Sequence, residues 1–205
     1  MESLTSSEKI FLRNLDTPSK IQDYLDSIPF NHEESGETCM STRRVLKEKK
    51  AHCLEGAFLA STCLLLQKKR PLILSLKVIA SDYDHVVTLY KENGYWGAIS
   101  KTNHVVLGFR DPVYKTIREL AVSYFHEYFL VSTGEKTLRG YSRPINLMRF
   151  GDSWITEEEN LFDIAIAICD SYHVPIIPPG NEKHIRKATK IERASADVPN
   201  DGKES

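Results

Sequence analysis

An α+β fold is what this sequence predicts: a cysteine-bearing central helix packed on an antiparallel sheet, with further helices flanking it. Two observations lead there. Helical apolar spacing dominates up to a cation-rich stop at Lys68-Lys-Arg70-Pro71, and β-branched and leucine residues take over from Leu72. The second is Asn93-Gly94, a strong two-residue hairpin signal, set between two extended runs. Helices followed by hairpin-joined strands point to an antiparallel sheet with segregated helices rather than to alternating parallel units.

The elements follow in order. Residues 6–15 and 18–28 read as short helices, the second with Thr17 as N-cap and Pro18 at the first helical position. A basic helix is expected over 41–49, and the apolar helix opened by Cys53 ends near 68–70, where cations suit the dipole. Residues 72–80 form a strand, the hairpin supplies two more, and 105–109 read as a further one. Asp111-Pro112 is expected to turn the chain into an amphipathic helix over 114–131, ended by Gly134. Residues 138–147 are extended, and Thr156 with Glu159 forms a capping box before a helix over 161–172. Residues 1–180 read as one domain and 181–205 as a flexible C-terminal tail.

Composition narrows the function classes. The chain has 205 residues, 41% hydrophobic and 27% charged, with formal net charge −1, so no global field draws it to nucleic acid or an anionic membrane. No apolar stretch is long enough to span a bilayer, and the first residues lack the basic and apolar regions of a secretory signal. The expected location is cytoplasmic. Of Cys39, Cys53, Cys63 and Cys169, none forms a C-x-x-C pair, and a reducing compartment would keep them free. Cys63 and Cys169 fall inside apolar helical patterns and read as buried, whereas Cys39 follows a polar loop and reads as exposed.

Cys53 stands apart because a helix N-terminus favours the thiolate. Gly56, Ala57, Ala60 and Leu64 share its helix face, and the small ones permit close approach of another element. Along the hairpin, a two-residue turn places Glu92 opposite Tyr95, Val87 opposite Ser100 and His85 opposite Thr102. Ser100 and Thr102 thereby share the face of His85, with Asn103 just beyond. A histidine base needs a partner on its second ring nitrogen, and Asn103 or Ser100 would supply it. Asp82 and Asp84 are the nearest acids, pointing away by strand alternation, although either could serve if the chain bends before the strand. His52 reads as exposed or capping, and Glu55 as paired with a nearby cation. The 124–129 aromatics read as core and helix surface.

A cysteine opening a central helix, a histidine starting a hairpin and a polar residue on the return strand resemble the transglutaminase-like superfamily, rearranged relatives of papain-type thiol enzymes. The resemblance covers residues 40–103. That pattern places an aspartate where Gly94-Tyr-Trp96-Gly-Ala-Ile-Ser100 ends on Ser100. The chain is also similar to uncharacterised bacterial proteins that share Ala51-His-Cys-Leu-Glu-Gly-Ala57 and the Trp96-Gly-Ala-Ile-Ser100 cassette.

The resemblance implies a cysteine-dependent hydrolase or acyltransferase acting on a peptide, amide or ester. Cys53 would be the nucleophile, His85 the base, and Asn103 or Ser100 the third member, with no cofactor. The alternative is a catalytically inactive binding module of the same fold, for which Ser100 in place of the aspartate is the best indication. A redox or metal-responsive thiol protein is a third reading, although His52, Cys53, His85 and His104 lack dense ligand spacing.

Overall fold

The computed structural model describes residues 4–196 of the chain. Its strands are β1 (Leu72–Val78), β2 (His85–Glu92), β3 (Tyr95–Ile99), β4 (Arg110–Tyr114), β5 (Leu138–Ser142), β6 (Ile145–Asn146) and β7 (His173–Pro175). They form one seven-stranded sheet of order β4-β3-β2-β1-β5-β7, with β6 also paired to β1, and every pairing is antiparallel. The helices are α1 (Ser6–Asn14), α2 (Pro18–Ser27), α3 (Thr42–Glu48), α4 (Cys53–Leu66), α5 (Ile117–Ser123), α6 (Ser153–Thr156), α7 (Phe162–Cys169) and α8 (Lys190–Ala196). The fold is α+β with an antiparallel sheet and a cysteine-bearing helix.

Central placement of α4 follows from its composition. It is apolar on every side, so it must be covered on every side, and residues 54 to 64 are all buried. One apolar layer joins Phe58, Leu59 and Leu64 of α4 to Leu12, Leu25, Val45, Trp154 and Ile168 from the surrounding helices. Val86 and Tyr90 reach the same layer from β2. Thr88, between them on that sheet face, donates its hydroxyl to the Ala57 carbonyl at 3.0 Å. The opposite face carries Leu74, Val87, Leu89 and Ala98, covered by Leu120, Ala121 and Tyr124. Strand alternation divides β2 between the two layers.

The hairpin forms in the expected register, with Glu92 opposite Tyr95. Asn93 and Gly94 take positive φ, 49° and 89°, as a turn matched to strand twist demands. The ladder stops at Thr88 opposite Ile99, so Val87, Ser100 and Thr102 do not pair as expected. Thr102 instead accepts the His104 N–H at 2.9 Å, closing a local turn.

The second half departs further from expectation. Residues 105–107 are a single 3-10 turn rather than a strand, and the strand is β4, which includes Asp111-Pro112. Proline is tolerated there because β4 is an edge strand, where a missing N–H costs no ladder bond. The helix expected over 114–131 is limited to α5, capped by Thr116, whose hydroxyl accepts the Glu119 N–H. After Ser123 the aromatic residues leave the helical path: Tyr124 is fully buried, and Tyr128 donates its hydroxyl to the Tyr83 carbonyl at 2.6 Å. The α7 helix starts at Phe162 with no side-chain cap bond at Leu161, and Thr156 ends α6 instead of capping α7. Cys39 is buried and Cys169 exposed, the reverse of expectation. Cys39 belongs to the apolar layer around α4, and burial pushes its thiol up to about 12.

Part of the region read as a flexible tail, residues 181–196, is described. Ala188 and Ala196 pack on Phe129, and Arg193 donates to the carbonyls of Val131 and Ser132 at 3.1 and 2.8 Å. Residues 197–205 lie outside the described residues.

Candidate active site

The site is made where three elements begin or end: Cys53 is the first residue of α4, His85 the first of β2, and Ser100 follows the last residue of β3. Contacts between α4 and β2, from Ala57–Thr88 to the Lys69–Glu92 ion pair beyond the helix end, show the two running side by side in the same direction. Their starting residues therefore lie at one end of the sheet. His85 and Ser100 belong by alternation to the face away from α4; His85 reaches Cys53 past the sheet's margin, and Ser100 bonds His85 from behind.

The helix start is fixed by its own cap. His52 Nδ1 accepts the Leu54 N–H at 3.2 Å, and Glu55 accepts the His52 N–H at 2.9 Å. Glu55 has no exposed surface. Its carboxylate also accepts from Thr38 Oγ1 at 2.8 Å, the Met40 N–H at 2.9 Å and Asn31 Nδ2 at 3.1 Å. The expected cation partner is replaced mainly by neutral donors, and the one titratable ring near it is His52, 3.4 Å away.

Cys53 is partly buried at the wall of a cavity of about 350 Å³, and His85 lines the same cavity while being only 5% exposed. Burial works against the thiolate, but hydrogen bonds and positive charge from the His52 and His85 rings outweigh it. The Cys53 thiol is lowered to about 5. For His52, burial disfavours the imidazolium, whereas the adjoining sulfur and Glu55 push its pKa up. His85 is the second ring that bonds the sulfur through one of its nitrogens.

Ser100 decides which nitrogen of His85 does so. Its hydroxyl donates to the Leu107 carbonyl at 2.9 Å, so toward His85 Nε2, 2.8 Å away, it acts as acceptor. Nε2 therefore carries a proton, and Nδ1 is left for the sulfur. Asn103 does not occupy this position: it is exposed on the cavity rim. Asp84 holds Lys77 at 2.7 Å and the Val78 N–H at 3.0 Å, and Asp82 accepts the Thr137 hydroxyl at 2.5 Å. Both acids line the cavity, and neither bonds His85. Of the expected residues, Cys53, His85 and Ser100 are brought together.

Three supporting groups carried no motif. Gln22, on α2, is 7% exposed and grips the Ser100 backbone at two points: Nε2 donates to the carbonyl at 2.8 Å and Oε1 accepts the N–H at 2.9 Å. Lys101 is 2% exposed and donates to the Leu25 and Ile28 carbonyls at 2.8 and 2.6 Å, where α2 ends. Burial lowers its pKa. A Cβ on Gly56 would sit 2.5 Å from the Lys101 Cβ, so the close approach allowed by the small face is made by Lys101. The aromatic stretch supplies the third group, since Glu127, Tyr128 and Phe129 form cavity wall.

Gln22→Ala is expected to cost about 1–3 kcal/mol, because it strands two buried backbone groups of Ser100. Urea unfolding measures that loss. A parallel rise in the pH midpoint of Cys53 alkylation would report the loosened His85 ring.

Among the described residues no group of three or more His, Cys, Asp and Glu side chains is arranged to hold a metal ion, and no helix is long and apolar enough to cross a membrane. No protein-family model matches the chain, and no curated protein matches it in sequence.

Proposed function

We propose that this protein is a cysteine-dependent acyl-transfer enzyme of transglutaminase-like, papain-like type, acting on a peptide, amide or ester carbonyl. The observation that carries the reading is a helix-N-terminal thiol lowered to about 5 beside an imidazole whose far nitrogen is pinned by Ser100.

In this scheme the Cys53 thiolate adds to the carbonyl carbon, and the carbonyl electron pair moves onto oxygen. The Cys53 backbone N–H, at the positive end of α4, is the expected donor to that oxygen. When the C=O re-forms, the carbon–nitrogen or carbon–oxygen bond breaks, and the leaving group takes the proton from His85 Nδ1. Water or an amine then attacks the thioester and surrenders a proton to Nδ1, and thiolate departs to restore the ion pair. Water makes the protein a hydrolase, and an amine makes it an acyltransferase. Ser100 orients the ring without adding the negative charge that an aspartate would.

Alkylation by iodoacetamide against pH tests the reading in a Cys169→Ser background, since Cys39 and Cys63 are buried. The expected midpoint is near 5, with fast modification of Cys53 at pH 6 to 7. A rise only near the ordinary thiol value of about 8.5 would favour a catalytically inactive binding module of the same fold.

A further inference from the structure

The cavity beside Cys53 has a sign. Among its lining residues are the carboxylates of Asp82, Asp84 and Glu127, and no lysine or arginine. Two of the three acids are neutralised from outside: Asp84 by Lys77, and Glu127 by Arg110. Asp82 is different. Its oxygens accept the Thr137 hydroxyl at 2.5 Å and the Tyr83 N–H at 2.8 Å, and among the described residues it has no ion-pair partner. Two histidines share that lining: His85, which faces Cys53, and His104, which burial holds toward its neutral form against the opposing pull of the Asp82 charge.

The surroundings of Asp82 suit a cation further. Tyr83 projects into solvent at the rim, 89% exposed, an aromatic face beside a carboxylate. The turn that holds both is fixed in place: the Asp82 N–H donates to the Ile79 carbonyl at 3.1 Å, and the Tyr83 carbonyl accepts from Tyr128. Tyr128 feels the charges of both Asp82 and Cys53, after burial the main influences raising its pKa, so carboxylate and sulfur share one neighbourhood. Leu107, Phe129, Leu130 and Val131 provide an apolar wall for the uncharged remainder of a ligand.

We infer that the site selects acyl donors that carry a protonated amine or guanidinium, received by Asp82 and the Tyr83 ring while the carbonyl reaches Cys53. The inference rests on the acyl-transfer reading and adds the substrate class. A donor bearing a carboxylate would be disfavoured by the same field.

Charged methanethiosulfonates measure that field at the sulfur itself. In each, the Cys53 thiolate attacks the sulfenyl sulfur, a mixed disulfide forms and methanesulfinate leaves. The trimethylammonioethyl and sulfonatoethyl reagents are compared on the Cys169→Ser protein at low salt, with free cysteine as reference. The cationic-to-anionic rate ratio is expected to exceed that of free cysteine by about tenfold, and to fall at least about threefold in Asp82→Asn. It should also decline as salt rises. Tyr83→Ala provides a second variant should Asp82→Asn fail to fold, and is expected to lower the ratio about twofold.

A ratio equal to that of free cysteine overturns the inference, as does one unchanged in both variants. Iodoacetamide, which is neutral, separates the two claims. Fast labelling below pH 7 with no charge preference sinks the substrate class alone, whereas a Cys53 inert to all three reagents sinks the acyl-transfer reading as well.

Discussion

A His85→Ala variant is expected to lose acyl-transfer turnover by about 10²–10⁴-fold, the usual contribution of a positioned acid–base group. Its thiol should titrate well above the value of about 5 set by the present surroundings. The sign follows from the competing influences on Cys53. Burial raises its pKa, and the hydrogen bonds and charge of two imidazoles lower it. Removing one imidazole leaves burial opposed by His52 alone. Ultraviolet absorbance of the thiolate against pH is the measurement, with the midpoint as the readout. The alkylation rate at a single pH is a poorer guide, because a more basic thiolate is also a stronger nucleophile and partly conceals the shift. A midpoint that stays near 5 would show that His85 is not the partner of sulfur.

The second large effect is on stability. Glu55→Ala is expected to destabilise the fold by about 3–5 kcal/mol, as removal of one member of a buried charged network does. Four donors lose their acceptor together: the N–H groups of His52 and Met40, the Thr38 hydroxyl and the Asn31 amide. Glu55→Gln should be a poor rescue. All four partners are donors, and the new NH₂ would face two of them. Urea unfolding of the three proteins gives the ranking, and a Gln variant as stable as the parent would contradict this account of the cap.

How much of this was legible in the sequence depended on how local each signal was. The α4 start, the His85 position and the Glu92–Tyr95 pairing follow from a cap, a dipole and a two-residue turn, all written within a few residues. The Ser100–His85 bond was among the alternatives, but nothing local chose Ser100 over Asn103. The choice is made by Gln22, 78 positions away, and by the Leu107 carbonyl that takes the serine proton. Glu55 and Lys101 look like surface residues until their partners from α2 and the 31–40 segment arrive. Residues 114–131 misled because aromatic residues at helical spacing serve equally well as cavity wall once tertiary contacts claim them. In the segment before 196 a polar composition hides one arginine and two alanines that dock on the 129–132 loop.

Lys101 has an implication for how the protein can be cut. Its ammonium is buried and is satisfied by carbonyls at the end of α2, one position along the chain from the serine that Gln22 of the same helix clasps. A fragment trimmed to the cysteine and hairpin cassettes would strand that amine and release that serine in one stroke. The α2 helix is thus masonry for the thiol centre rather than a detachable porch. Truncations, fusion joints and permuted termini need to leave α2 whole.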